Sequence, residues 1–483
     1  MIDYANIISA HRAEILLADA AVLILLVDRL LLGARSLALR HTVGSALTAL
    51  SCAAAIAWQH PGFAGMAILV LAAANALLSR ETRFTSQVGE YYVILLLATT
   101  GLLVMTTAET WLLAFVGLET ASLSLYALVA FDKSRPTSAE AGLKYFLIGG
   151  VSAAFLLYGL SLIYGVTGKL GIGETGEFLI HGSHSPLLFA GMLMAVVGFS
   201  FKIAAAPFHL WAPDAYQGAP TPVASFVASA SKIGGVALFL RLFGTGLTGP
   251  RMDFANGLLE NQPAWVPALL WVSLASMVIG NVTALAQHSV KRLLAYSSVA
   301  HAGYLLIGFA AGGAVGGMPS VEIFYYITTY AIATCGAFGV VAIVERANDS
   351  DDMDSFRGLY QRNPLLAGLL AVFLLSLAGI PPLAGFFGKF QLFAKALGAG
   401  GGIWIGMIAF AIAMSAVSLY YYLQVLKRAF VSAPDENAQA VRAISPVSLA
   451  VLVALAAVIV AGGVWPDLLN DLIRNLDPSR LPG

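Results

Sequence analysis

Charge is what this sequence has least of. Of its 483 residues only 11% are Asp, Glu, Lys or Arg, where a soluble domain carries about 25%. That scarcity excludes a water-soluble globular chain. The 26 basic and 26 acidic residues cancel to zero, so nothing points to a nucleic-acid partner. Cysteine is nearly absent as well. Cys52 and Cys335 lie far apart in apolar runs, too few for a haem, iron–sulfur or other metal site, and both read as small apolar packing residues. A cleavable signal peptide is not expected either, because the first apolar run, Ala13 to Leu32, lacks a basic n-region and a small-residue cleavage site. Asp19 inside that run is read as facing the protein interior.

What is plentiful is apolar sequence: 59% of residues are hydrophobic, with a mean hydropathy of +0.83. The apolar runs approach the ~20 residues a membrane span needs, which predicts an all-α polytopic membrane protein with about fourteen transmembrane helices. The first five are expected near 13–32, 41–58, 62–79, Tyr91–Thr106 and Trp111–Phe131. Ala141–Val166, Pro186–Pro207, Pro222–Phe243, Val266–Ala286 and Leu293–Ala311 follow. The last are Val321–Val344, a run from Pro364 broken by GIPP at Gly379–Pro382, then Trp404–Leu426 and Pro446–Val464. Prolines thus break helices 7 and 12, which suggests that helices 4–8 and 9–13 are two inverted five-helix repeats. The expected divisions are 1–90 (helices 1–3 and a linker), 91–245 (first repeat), 246–430 (second repeat) and 431–483 (helix 14 and tail). Counting Lys and Arg by loop gives roughly fifteen on one side against about seven on the other, which places both termini outside.

Four lysines and one glutamate remain at membrane depth: Lys144, Lys202, Lys232, Lys389 and Glu119. Each such charge costs about 2.5–3.5 kcal/mol at the bilayer centre, so the default reading is an ion or proton pathway. Lys202 precedes Pro207 by five residues, and a proline inside a helix leaves carbonyls, here near Ile203, without amide partners. Lys232 lies about ten residues into the next helix, near the middle of a ~30 Å hydrocarbon layer. Lys144 is the member nearest an interface, where snorkelling is the alternative. His209, beside the broken helix, and His301, on helix 10, are candidate relay helpers. Gly171, Gly173 and Gly176 satisfy a dinucleotide-loop spacing, but they follow a membrane helix and not a strand, so nucleotide binding is rejected. The segment Glu345–Arg362 reads as a solvated connection, with contact to another subunit as the alternative.

Five segments together carry a family resemblance: FKIAAAPFHLWAPDAYQGAPTPVASFVASASK ending at Lys232, LETASLSLYAL around Glu119, EAGLKYFLIGG around Lys144, KRLLAYSSVAHAGY from Lys291 to Tyr304, and AGIPPLAGFFGKF around Lys389. They are similar to the antiporter-like subunits of respiratory complex I, and most closely to the subunit N family of bacterial NADH-quinone oxidoreductase. YQGAP and the Ser231–Lys232 dipeptide favour N over the sister subunits L and M. The resemblance implies proton translocation through Glu119, Lys144, Lys202, Lys232 and Lys389, with His209 and His301 as helpers. It also implies no cofactor in this chain, with flavin and iron–sulfur clusters in partner subunits, the K and M subunits as membrane neighbours, and a bacterial cytoplasmic membrane with both termini periplasmic. To exchange protons near pH 7 a lysine must drop about three pKa units from ~10.4, about 4 kcal/mol, which burial can supply. An ionised Glu119 opposes that drop at Lys202, so a change in their pairing would release the proton toward Lys232 and Lys389. The alternatives are a subunit of a multisubunit cation/proton antiporter or related membrane redox complex, a structural membrane subunit without transport, and a quinone-binding role resting only on apolar grooves.

Overall fold

The computed structural model describes residues 11–82, 84–180, 185–247, 251–254, 259–434 and 444–476. Arg83, Arg442 and Arg480, which enter the loop count, lie outside the described residues, as does the side chain of Arg251. Helices dominate because an apolar segment in lipid must satisfy its backbone internally. In chain order they begin with α1 (Arg12–Leu26, extended by a π turn to Leu31), α2 (Leu37–Gln59), α3 (Phe63–Leu78), α4 (Val88–Thr107) and α5 (Trp111–Val129). Next come α6 (Pro136–Thr167), the short α7 (Ile172–Ile180), α8 (Pro186–Lys202), α9 (Trp211–Gly218), α10 (Thr221–Ala228) and α11 (Ala230–Arg241). The second half holds α12 (Val266–Leu285), α13 (Val290–Val315), α14 (Ser320–Asn348), the single turn α15 (Leu359–Arg362), α16 (Pro364–Ala378) and α17 (Ala384–Leu397). It closes with α18 (Gly402–Phe430), α19 (Pro446–Val464) and α20 (Pro466–Leu476). Among the described residues, eleven helical segments are long and apolar enough to cross a membrane.

Local sequence sets the ends. Thr110, Ser289 and Asn363 cap α5, α13 and α16 by accepting from backbone amides three residues on, and prolines occupy the first turns of α6, α8, α16 and α19, where no amide is needed. The two expected breaks are present. Beyond α8 the chain leaves the helix through Ala204 (φ 58°) before α9, and beyond α16 it does so through Gly379 (φ 87°) before α17.

The structure departs from the sequence reading in four places. The eighth expected helix is not continuous: Ser229 (φ −112°, ψ −85°) separates α10 from α11, and its hydroxyl bonds the Ser225 carbonyl at 2.6 Å in competition with the helix ladder. The chain is not wholly α, because Arg251–Phe254 and Leu259–Pro263 pair as an antiparallel hairpin whose backbone groups satisfy one another between spans. The tail contains the amphipathic α20, with Asn470 and Ile473 turned inward and Leu468 and Leu472 outward. Finally, Asp19 is exposed, because the inward stripe of α1 is Ala13, Leu17, Ala20, Ala21 and Ile24, and Asp19 falls off it.

The rejected glycine-rich loop lies in α7, where Thr175 accepts a bond from the Trp111 indole at 2.9 Å and Gly176 backs onto the Thr245 carbonyl. Cys52 and Cys335 are buried thiols. The centre of the protein is built from α10–α11, α13 and α14, buried almost all round, while α6 and α18 are largely exposed at the periphery. Several helix pairs pack backbone to backbone, among them α6 and α8 at Gly159 and Gly191. Gly101 of α4 lies against Gly117 and Ala121 of α5, and Gly280 of α12 lies against Tyr296 and Ala300 of α13, the close approach that small residues permit between membrane helices.

A Cβ at Gly101 would sit 2.4 Å from the Ala121 amide nitrogen. Gly101→Val should therefore push α4 from α5 and cost roughly 1–3 kcal/mol, read as a lower thermal midpoint of the detergent-solubilised protein. Gly150→Val, at a position with nothing within 4 Å, should leave the midpoint unchanged.

Candidate functional site

The two helix breaks leave carbonyls at the C-terminal ends of α8 and α16, and a buried ammonium group sits on each. Lys232, from α11, donates to the Ile203 carbonyl at 3.0 Å and to the Ser298 carbonyl at 3.1 Å. Lys389, from α17, donates to the Leu377 and Ala378 carbonyls at 3.1 and 3.0 Å and to the Ser415 hydroxyl at 2.8 Å. Both positions match the negative end of a helix dipole. Each ammonium also faces an aromatic ring, Tyr330 at 5.6 Å from Lys232 and Tyr304 at 5.2 Å from Lys389, a further favourable contact for a cation. Neither lysine is more than 6% exposed.

His301 lies between them. Its Nδ1 is 2.7 Å from the Tyr326 hydroxyl and its Nε2 3.4 Å from that of Tyr422, so both ring nitrogens have a hydroxyl to exchange a hydrogen bond with. Two cavities of ≈ 10 Å³ meet at this residue. One is lined by Lys232, His301, Tyr326 and Tyr330. The other is lined by His301, Tyr326, Thr329, Ser376 and Leu377, and the Leu377 carbonyl is itself a Lys389 acceptor. Each has room for about one water. The imidazole thus joins the surroundings of the two lysines.

Lys202 occupies the other side of Lys232. It is buried, donates to the Ser122 hydroxyl at 3.3 Å, and packs close to α11, where a Cβ added at Gly235 would lie 3.2 Å from its Cγ. Glu119, one helical turn before Ser122 on α5, interacts electrostatically with Lys202. Its Oε1 is shielded from solvent without a hydrogen-bond partner, although the residue is only half buried. Glu119, Lys202, Lys232, His301 and Lys389 therefore form one group.

Lys144 and His209 stand apart from it. Lys144 is 45% exposed and pairs with Glu140 at 2.7 Å and Asp214 at 2.9 Å. Asp214 in turn holds Arg292 at 2.7 Å. Glu140, Lys144 and Asp214 rim a cavity of ≈ 430 Å³ that Arg135, Lys291 and Glu345 also line. His209 is buried beside Tyr296, with a ring separation of 6.4 Å, and its Nδ1 has no partner among the described residues.

Sequence reasoning missed three features. Tyr326 and Tyr422 flank His301; the signal was the hydroxyl-rich run Tyr325–Thr334 inside an otherwise apolar helix. Ser122 and Ser298 supply lysine acceptors and carry no signal beyond being polar in an apolar run. Lys291 and Glu345, read as loop charges, form a pair at 3.1 Å with Lys291 only 2% exposed. Among the described residues, no three His, Cys, Asp or Glu side chains are grouped so as to hold a metal ion.

The broken helices and the buried ammonium groups they hold define the class, a polytopic membrane protein of antiporter-like build. Residues 108–415 match the family described as NADH:quinone oxidoreductase/Mrp antiporter, TM. NADH-quinone oxidoreductase subunit N 2 of Acidobacterium capsulatum is 40% identical over 98% of this chain and 99% of its own length. A chain of respiratory complex I from Thermus thermophilus, solved with bound aureothin, is 34% identical with a TM-score of 0.78, covering 95% of this chain and 98% of that one. The Mrp complex of Dietzia sp. DQ12-45-1b shares the fold at 21% identity, with a TM-score of 0.76 over 97% of this chain and 98% of that one. The chain belongs to the subunit N family of NADH-quinone oxidoreductase.

Burial alone would raise the Asp214 carboxyl, but hydrogen bonds and charge from Lys144 and Arg292 outweigh it and hold it below the ordinary carboxylate range. A depressed folded-state pKa means stability that is present above the unfolded value of ~3.9 and lost as pH falls through the folded one. Asp214→Asn should therefore lower stability at neutral pH by up to about 1 kcal/mol, as expected of partly exposed pairs. The difference from the parent should begin to shrink near pH ~3.9 and vanish only below the depressed folded value, as read by thermal midpoints across pH.

Proposed function

We propose that this chain is the proton-translocating subunit N of a NADH-quinone oxidoreductase, and that its own part is to move protons and not electrons. The observation that carries this reading is the placement of His301 between two small cavities, one at Lys232 and one at the carbonyls that hold Lys389. Glu119, Lys202, Lys232, His301 and Lys389 then act in sequence. A shift in the Glu119 charge relative to Lys202 changes the lysine's hold on its proton, which passes to Lys232, across His301 and on to Lys389. The titrations are coupled, so the protons belong to the set and not to single residues. His209 and Lys144 remain candidates at its margin, Lys144 through the cavity it shares with Asp214 and Glu345.

The same reading extends to topology and company. Fourteen spans are reached when the eleven long apolar helices are joined by α1 and by the broken pairs that begin with α8 and α16. Two inverted repeats, 91–245 and 246–430, are supported by the matching glycine contacts of α4 with α5 and of α12 with α13 and by the matching breaks, with 1–90 and 431–483 flanking them. Flavin and iron–sulfur clusters belong to partner subunits, with the K and M subunits as membrane neighbours in the bacterial cytoplasmic membrane and both termini periplasmic. A cation/proton antiporter subunit is the competing reading, and the redox subunits that co-purify from native membrane decide between them.

Two measurements test this. In vesicles containing the assembled complex, Lys232→Met, which keeps aliphatic length, and Lys232→Arg, which holds its proton too tightly, should each reduce proton uptake roughly tenfold or more, and Glu119→Gln should impair it at normal subunit content. Variants that assemble and pump at the parental proton-to-electron ratio would remove these residues from the path. For topology, a cysteine placed at the C-terminus should react with an impermeant thiol reagent added to intact cells, and labelling only from the cytoplasmic side would reverse the assignment.

A further inference from the structure

The pair of buried Lys291 and partly buried Glu345 has no part in the path described so far, yet it sits at the end of a polar face. Thr221, Ser225, Ser229 and Lys232 are spaced four, four and three residues apart, which puts them on one side of α10–α11. None is more than 3% exposed. The seam partner, α14, runs antiparallel to them: Thr221 at one end donates to the Glu345 carboxylate, and Lys232 at the other faces Tyr330. Between these ends the Cys335 thiol lies beside Ser225 and Asn75, and the Asn75 amide is 3.5 Å from the Ser229 hydroxyl. The Ser225 hydroxyl itself is buried without a hydrogen-bond partner among the described residues.

Glu345 stands where this face meets water. It lines the ≈ 430 Å³ cavity, whose rim includes Asp349, 92% exposed. Its Oε1 is held by Lys291 at 3.1 Å and by Arg135 at 3.4 Å, and Lys291 also reaches the Thr221 hydroxyl at 3.4 Å. A carboxylate fixed by two cations at the cavity end of a buried hydroxyl face is more than a helix fastening, because the same side chain touches both the cavity and the first hydroxyl.

Resting on the proton-path reading above, we propose that Glu345 is the proton-accepting group at the mouth of an inlet to Lys232, with Lys291 as its positioning residue. A hydronium in the cavity transfers its proton to a Glu345 oxygen, forming a carboxyl O–H and leaving water. That O–H then breaks as the proton is relayed by Thr221, Ser225 and Ser229 and by water between them to the neutral amine of Lys232. An N–H bond forms, the carboxylate is restored, and one proton has moved with no other net bond change.

The test uses the whole complex in vesicles, with proton uptake, quinone reduction and subunit content read together. Glu345→Gln should lower uptake at least tenfold, and Glu345→Asp, which keeps the carboxylate, should recover half or more of the parental rate. Because Glu345→Gln leaves Lys291 without its main counter-charge and can weaken assembly, the double replacement E345Q/K291M, which removes both charges, reads the same quantity and should stay low at normal subunit content. Parental uptake in the double variant, or equal impairment by Asp and Gln, would overturn the inlet. Lys232→Met separates the two ideas. If it stops uptake while the double variant pumps normally, only the inlet fails; if neither variant lowers uptake, the path through Lys232 has failed as well.

Discussion

An ammonium group buried at membrane depth needs oxygen acceptors, and a regular helix offers few because its carbonyls are already engaged in its own ladder. Everything distinctive about this protein follows from how that need is met. At Ile203, and again at Leu377 and Ala378, a helix stops inside the protein and its last carbonyls turn to a lysine from another element. The break and the charge depend on each other. Unpaired carbonyls in an apolar interior would cost free energy, as would an unpaired ammonium, and each satisfies the other. The dense packing of α10–α11, α13 and α14 around them keeps both out of water.

The arrangement also explains why the first half differs from the second. Lys202 is bonded to a single hydroxyl, that of Ser122, whereas Lys389 has two carbonyls and a hydroxyl. Its charged companion, Glu119, lies on α5 with one oxygen unbonded and its side chain only half covered. In the proposed cycle this is the loose end of the line, the place where a neighbouring subunit can alter a charge most easily, while the second half is held firmly by backbone.

Much of this was legible in the sequence, and what was not has identifiable causes. Apolar runs bounded by proline, glycine and charge revealed most helices because lipid allows few other structures. Proline marked the breaks at Pro207 and Pro382, so the freed carbonyl near Ile203 could be anticipated, though not that Lys232 would occupy it, which depends on how α11 packs across α8. The break at Ser229 carried no proline or glycine, only a serine competing for a carbonyl. Lys291 and Glu345 looked like loop charges since each lies near a helix end, and only tertiary packing shows one of them buried. His301 and His209 were indistinguishable as lone histidines; their surroundings, two tyrosine hydroxyls for one and an unpartnered nitrogen for the other, come from helices distant in sequence.

The two chambers beside His301 are each ≈ 10 Å³, enough for about one water molecule. That size acts as a sieve. An alkali-metal ion arriving with its hydration shell brings several waters and would have to shed most of them to enter a chamber with room for about one. A proton needs no such room, since it moves by exchanging one O–H or N–H bond for the next. In the proposed path the narrowness at the histidine would therefore separate traffic by chemistry, admitting a charge that can be handed over and excluding one that must be carried.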